Sequence, residues 1–119
     1  MPAVRTARVP FPELARFSEA LDLFKDICST MPLAQLQAFL LVANDQGKSL
    51  GELSAITGIK QSTLSRYLLD WSDKTRKGAQ GYGLIAREAV PEELRRNCYS
   101  LTAKGYALLN KLSAALEGL

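Results

Sequence analysis

The chain has 119 residues, of which 47% are hydrophobic and 23% charged, and a net charge of +3. That is enough apolar material for one ordinary globular core and not for two. No stretch approaches the roughly 18 consecutive apolar residues of a membrane span, and no basic N-terminus leads into an apolar run with a small-residue cleavage site, so a soluble cytoplasmic protein is expected. Histidine is absent and Cys28 and Cys98 are the only cysteines, which excludes a Cys/His zinc centre and any mechanism that needs histidine as acid, base or ligand. Neither a metal nor a cofactor is expected. Both cysteines read as small buried apolar residues, the alternative being a redox pair across two subunits.

The charge is unevenly placed. Residues 1–59 carry five basic and six acidic side chains, whereas residues 60–105 carry nine basic against five acidic. A surface that meets a polyanion requires such an excess, although an ordinary solvated face also tolerates one this small.

In chain order, residues 1–10 contain two prolines and two arginines without helical period and are expected to form a flexible arm ahead of a single domain at 11–119. From Pro12, the residues Leu14, Phe17, Leu21, Phe24, Ile27 and Cys28 recur at steps of three and four, predicting a helix that ends before Pro32. Its stripe is long and aromatic-rich for so small a domain, so part of it is expected to meet a second subunit. Pro32 suits the first turn of a second helix, in which Leu33, Leu36, Phe39, Leu40 and Ala43 keep the period until Gly47. Ser49 followed by Glu52 is a capping-box signature and predicts a short third helix over about Leu50 to Thr57. Gly58 ends it, because a sharp exit needs a residue that accepts positive φ.

The fourth helix is expected from Gln61 to Asp73, with Leu64, Leu68 and Trp71 along one face, Leu69 beside them, and Gln61, Ser62, Ser65, Arg66 and Asp70 on the other. A short helix, a glycine turn and a longer helix with a polar outer face make a helix-turn-helix. The segment Thr75 to Gly83 (TRKGAQGYG) holds three glycines and must be a loop. Leu84 to Ala89 and Asn97 to Leu101 read as two strands of a hairpin joined by VPEELRR. Thr102 caps a last helix, with Tyr106, Leu109, Leu112 and Leu116 on one face and closure at Gly118. The fold class is therefore mainly α with a small β-hairpin wing, a winged helix-turn-helix.

The major groove of duplex DNA is about 12 Å wide and admits one α-helix, whose short polar side chains and arginines match base-edge donors and acceptors. Gln61, Ser62, Thr63, Ser65 and Arg66, in the N-terminal half of the fourth helix, are the candidates for that contact. Any amphipathic surface helix carries a polar face, but serine and threonine are mediocre helix formers, and capping accounts for one of Ser62, Thr63 and Ser65 at most.

The segment ITGIKQSTLSRYLLDW, the later LTAKG and the order of helices resemble the MarR family of winged-helix regulators over about residues 30–110. The family's wing pattern of acid, any residue, arginine, three residues, aliphatic, then Leu-Thr-x-Lys-Gly is met by Glu93, Arg95, Tyr99 and Leu101 to Gly105. Glu stands here for the usual Asp, and Tyr for the aliphatic residue. The resemblance implies sequence-specific binding of double-stranded DNA by a homodimeric transcriptional repressor. Arg95, with Arg96, would reach the minor groove or its phosphates; a surface ion pair of Arg95 with Glu92 or Glu93 is the plainer reading. The resemblance also implies dimerisation through the terminal helices, at 11–31 and 102–119, which assigns Leu14, Phe17, Leu21, Phe24, Leu109, Leu112 and Leu116 to the subunit interface.

Two features depart from the family. The loop at 75–83 is longer than its usual passage into the wing, and Lys74, Arg76 and Lys77 there are candidates for phosphate contacts. A single helix also follows the wing, where many members have a longer pair. No residue set identifies a small-molecule effector. Competing readings are a winged-helix module for replication or partition of a mobile element or for protein binding, and a regulator switched by oxidation of Cys28 or Cys98. An enzyme is not expected, because no glycine-rich phosphate loop follows a strand and no nucleophile is spaced with a base.

Overall fold

The structure, a computed structural model, describes residues 11–72, 80–90 and 93–117, with the backbone alone at 89, 90 and 93–96. Helix α1 (Pro12–Lys25) starts on a proline, which lacks the N–H that a first helical turn leaves unused. It ends sooner than its apolar period suggests: Ile27 and Cys28 both donate backbone N–H to the Phe24 carbonyl in a closing turn. Helix α2 (Leu33–Asn44) follows, with Pro32 as its N-cap.

Strand β1 (Lys48–Ser49) and helix α3 (Leu50–Thr57) share Ser49, which serves as strand residue and N-cap together. Ser49 Oγ accepts from the Glu52 N–H at 3.2 Å, and Glu52 Oε1 accepts from the Ser49 N–H at 2.9 Å. This is the expected capping box, and it satisfies two of the donors a helix start leaves open. Gly58 closes α3 at φ +78°, and its N–H donates to the Ser54 carbonyl at 2.8 Å. The turn is knitted further by Ser54 Oγ donating to the Ile59 carbonyl at 2.5 Å and by the Ile59 N–H donating to Thr57 Oγ1 at 3.1 Å.

Helix α4 (Gln61–Trp71) is shorter than expected, ending at Trp71 with Ser72 as its C-cap. Asp73 lies outside the described residues. The reason is what the chain does next. The N–H groups of Tyr82, Leu84 and Gly83 donate to the carbonyls of Asp70, Trp71 and Ser72, so the buried end of α4 has its last carbonyls satisfied by backbone donors from the segment at 82–84.

Strands β2 (Ile85–Val90) and β3 (Glu93–Leu101) pair antiparallel, with Arg87 opposite Tyr99 and a register shift at Ala89/Val90. β3 begins earlier than expected and takes in most of the segment read as a connection. It also pairs with β1, Ser49 opposite Cys98, giving a three-stranded sheet of order β1-β3-β2 in place of a simple hairpin. Helix α5 (Ala103–Leu116) starts at Thr102, whose Oγ1 accepts from the Gly105 N–H at 3.0 Å and donates to the Gly83 carbonyl at 2.7 Å.

The core sits where α1, α2 and α4 meet the sheet and α5, around Phe24, Phe39, Leu53, Leu64, Leu68, Trp71, Ile85, Leu101 and Leu112. Phe24, Phe39 and Trp71 stack at ring-centre separations of 5.0 to 6.2 Å, and Tyr82 closes on Trp71 at 5.3 Å. Trp71 is fully buried, and its indole N–H donates to the Gln35 carbonyl at 2.8 Å, so its one polar atom is satisfied. Leu69 is only half-buried and lies outside this cluster, a correction to the expectation that it joins the core.

Candidate nucleic-acid interface

Burial divides α4 lengthwise. Leu64, Leu68 and Trp71 are fully buried against α2 and α3, an anchoring worth roughly 1.5–3 kcal/mol per large apolar side chain. Gln61, Ser62 and Arg66 are exposed on the opposite face, while Thr63 and Ser65 are half-buried. Thus Gln61, Ser62 and Arg66 form a polar face at the start of a rigidly seated helix, with Thr63 and Ser65 at its margins. Among the described residues no side chain caps this helix: Lys60 is the N-cap and makes no side-chain hydrogen bond there. Capping therefore accounts for none of Ser62, Thr63 and Ser65, and the first-turn N–H groups carry the partial positive charge of the helix start without a side-chain acceptor.

Ser49, Leu50 and Gly51 at the start of α3, Gln61 and Ser65 on α4, and Arg87, Asn97 and Tyr99 on the sheet line one open cleft of about 300 Å³. Arg87 and Asn97 are absent from the residues the sequence singled out. Their only sequence signal is strand alternation, which places Arg87, Asn97 and Tyr99 on one face once the register is known. Tyr99 is buried, which pushes its hydroxyl pKa up, and the neighbouring Arg87 guanidinium opposes that shift.

The remaining candidates fare differently. Lys74, Arg76 and Lys77 lie outside the described residues. Arg95 and Arg96 fall within β3, of which the backbone alone is described at those positions. Of the residues assigned to dimerisation, Leu14 and Phe17 are 58% and 55% exposed, and Leu21, Leu109 and Leu116 are half-buried. Phe24 and Leu112 are corrected to core residues, 3% and 5% exposed, because Phe24 packs on Phe39 and Trp71 and α1 packs along α5 within the same chain.

Cys28 also departs from its expected place in the core. It is half-buried beyond the end of α1, with its sulfur 3.6 Å from Thr30 Oγ1. The Thr30 hydroxyl and backbone N–H, with a smaller contribution from the Tyr82 hydroxyl, hold its thiol pKa below the ordinary value, while desolvation and Asp70 oppose them. Cys98 is half-buried in β3, opposite Glu88 and Ser49. Among the described residues no group of three or more acidic or cysteine side chains could hold a metal, and no helix is long and apolar enough to cross a membrane.

No family model matches the sequence, and no curated protein does. Solved structures do match. A crystal structure of MarR aligns with TM-score 0.61 at 20% identity, over 90% of this chain and 77% of that one. The transcriptional regulator Tm0710 from Thermotoga maritima aligns with TM-score 0.68 at 20% identity, over 87% of this chain and 66% of its own length. The transcriptional repressor CouR, bound to a 23-mer DNA duplex, aligns with TM-score 0.63 at 22% identity, over 90% and 68% of the two chains. With this overall likeness and its own order of five helices and a three-stranded sheet, the chain has a MarR-like winged-helix fold.

Proposed function

We propose that this chain is a cytoplasmic, sequence-specific binder of double-stranded DNA that acts as a homodimeric transcriptional repressor. One observation carries the reading: the face of α4 opposite Leu64, Leu68 and Trp71 presents Gln61, Ser62 and Arg66 at a helix start that no side chain caps. Major-groove readers offer their recognition helices in this way. The likeness to CouR, solved on a DNA duplex, supports it. In this reading Gln61, Ser62, Thr63, Ser65 and Arg66 read or flank base edges. Arg95 and Arg96 in the wing and Lys74, Arg76 and Lys77 in the loop meet phosphates. Leu14 and Phe17, exposed on α1, seat the second subunit with Leu21, Leu109 and Leu116, and residues 1–10 form an arm on a single domain at 11–119.

The test is selection of bound duplexes from a random library, followed by affinity measurements on the winner. A palindrome with half-sites about one helical turn apart is expected. Arg66→Ala should weaken that site by about 1–3 kcal/mol and relax its sequence preference. Failure to enrich any sequence overturns the proposal.

Cys28 favours a thiol-responsive form of the same function, since its lowered pKa and partial exposure are the conditions for oxidation. A hydroperoxide would take the Cys28 thiolate to sulfenate while being reduced to the alcohol. Peroxide treatment should then change DNA affinity in the wild type and not in Cys28→Ser.

A further inference from the structure

The cleft between α3, α4 and the sheet has a chemistry of its own. Arg87 is exposed on β2 at the cleft, and no acid among the described residues pairs with it. Glu88, next to it on the strand, points to the other face of the sheet by strand alternation. On the opposite wall, the capping box consumes the N–H groups of Ser49 and Glu52. That leaves the N–H groups of Leu50 and Gly51, which have no acceptor within the helix. The Glu52 carboxylate is turned back onto the Ser49 N–H at 2.9 Å. The cleft thus gathers a guanidinium, a side-chain amide, the Asn97 amide and the Ser65 hydroxyl around a polar space of about 300 Å³.

We infer that this cleft seats one backbone phosphate of a DNA duplex, with Arg87 as its charged contact. The inference rests on the proposed DNA-binding function and adds to it a fixed phosphate contact on the sheet. The cleft suits a phosphate because its donors are both charged and neutral, and a guanidinium forks onto two phosphate oxygens. The duplex, and not a free anion, is the expected source. Gln61 belongs both to this cleft and to the exposed start of α4, so a strand whose bases meet Gln61 passes its phosphates over Arg87. Such a contact fixes register without reading sequence.

The experiment measures affinity of the full chain for its selected duplex and for an unrelated duplex over a range of NaCl, in wild type, Arg87→Gln and Arg87→Lys. Arg87→Gln removes one contact from each protomer and should weaken both duplexes alike, by about 10- to 100-fold at one salt concentration, and lower the slope of log affinity against log salt by about 2. Arg87→Lys keeps the charge and should keep the slope. Urea midpoints establish that each variant is folded; should Arg87→Gln not fold, the wild type on duplexes carrying one neutral methylphosphonate per half-site gives the same reading. Some position must then lower the slope by about 2, with Arg87→Ala abolishing the loss at that position and Arg87→Lys retaining it.

An unchanged slope in folded Arg87→Gln overturns the inference while leaving the DNA-binding function standing. A change in sequence preference also overturns it, since it would make Arg87 a base reader. Wild-type protein that binds no duplex overturns the function itself. A second arm titrates inorganic phosphate at constant ionic strength. Phosphate that raises the melting temperature of wild type but not of Arg87→Gln, with duplex binding equal in the two, would assign the cleft to a free anion and overturn the inference.

Discussion

Replacing Gly105 with alanine should destabilise the fold, although alanine is the better helix former. Gly105 is buried in the first turn of α5, and a Cβ there would collide with the Leu84 carbonyl oxygen while lying 3.2 and 3.3 Å from Leu101 Cβ and Cδ2. Leu84 has no room to yield. Its N–H donates to the Trp71 carbonyl at 2.8 Å and its carbonyl accepts from the Thr102 N–H at 3.1 Å. Overpacking costs roughly 1–3 kcal/mol, and displacing the Leu84 carbonyl from its donor costs roughly another 1–3. Alanine returns about 1 through helix propensity. The net loss is about 3 kcal/mol, read from the urea midpoint of the fluorescence of Trp71, the one tryptophan in the chain. Gly51, in the first turn of α3, supplies the control, because a Cβ there meets ordinary contacts at 3.7 and 4.0 Å. Gly51→Ala should be neutral or stabilising by up to about 1 kcal/mol. A Gly105→Ala midpoint at or above the wild type's would refute the steric account, as would equal losses in the two variants.

Three other measurements bear on different parts of the molecule. Ser49→Ala breaks the capping box and should cost about 1 kcal/mol in the same unfolding assay. Phe17→Glu, at an exposed position on α1, should turn the proposed dimer into a monomer by light scattering with little change in urea midpoint; a variant that stays dimeric removes Phe17 from the proposed interface. Alkylation of Cys28 against pH should show a midpoint below the ordinary thiol range, moved upward by Thr30→Val. The folded-state pKa is lowered relative to the unfolded chain, so the thiolate contributes stability above the unfolded pKa and loses it as pH falls through the folded one. Cys28→Ser should lack that increment.

Features that depend on neighbours in sequence were legible in advance. The capping box of Ser49 and Glu52, the turn at Gly58 and the buried face of Leu64, Leu68 and Trp71 each rest on residues within a turn or two of one another. What escaped depends on partners far along the chain. β1 is two residues long, too short to alternate, and exists because β3 offers it Tyr99 and Cys98. The apolar stripe of α1 read correctly as a stripe, but periodicity cannot say that Phe24 faces the chain's own aromatic cluster while Phe17 faces outward. Arg87 and Asn97 stayed invisible as site residues because strand register sets their direction. Cys28 departs from the core for a related reason: α1 stops three residues short of it, which takes it off the buried stripe.

The LTAKG segment carried much of the family resemblance, yet the structure gives Thr102 and Gly105 architectural work. Thr102 caps α5 and holds the Gly83 carbonyl, and Gly105 makes room for the Leu84 carbonyl. A match at these two positions therefore reports how α5 is joined to the sheet and carries no information about the ligand.

The three backbone hydrogen bonds from Tyr82, Gly83 and Leu84 to the end of α4 separate two properties of the chain that sequence order would tie together. They staple residues 70–72 to residues 82–84, so the spacing between α4 and the sheet is set at the staple. Added loop length costs little by itself, about 0.6 kcal/mol per doubling. Arg66 on α4 and Arg87 on β2 thus hold a separation set by hydrogen bonds between residues distant in the chain and not by the path that joins them.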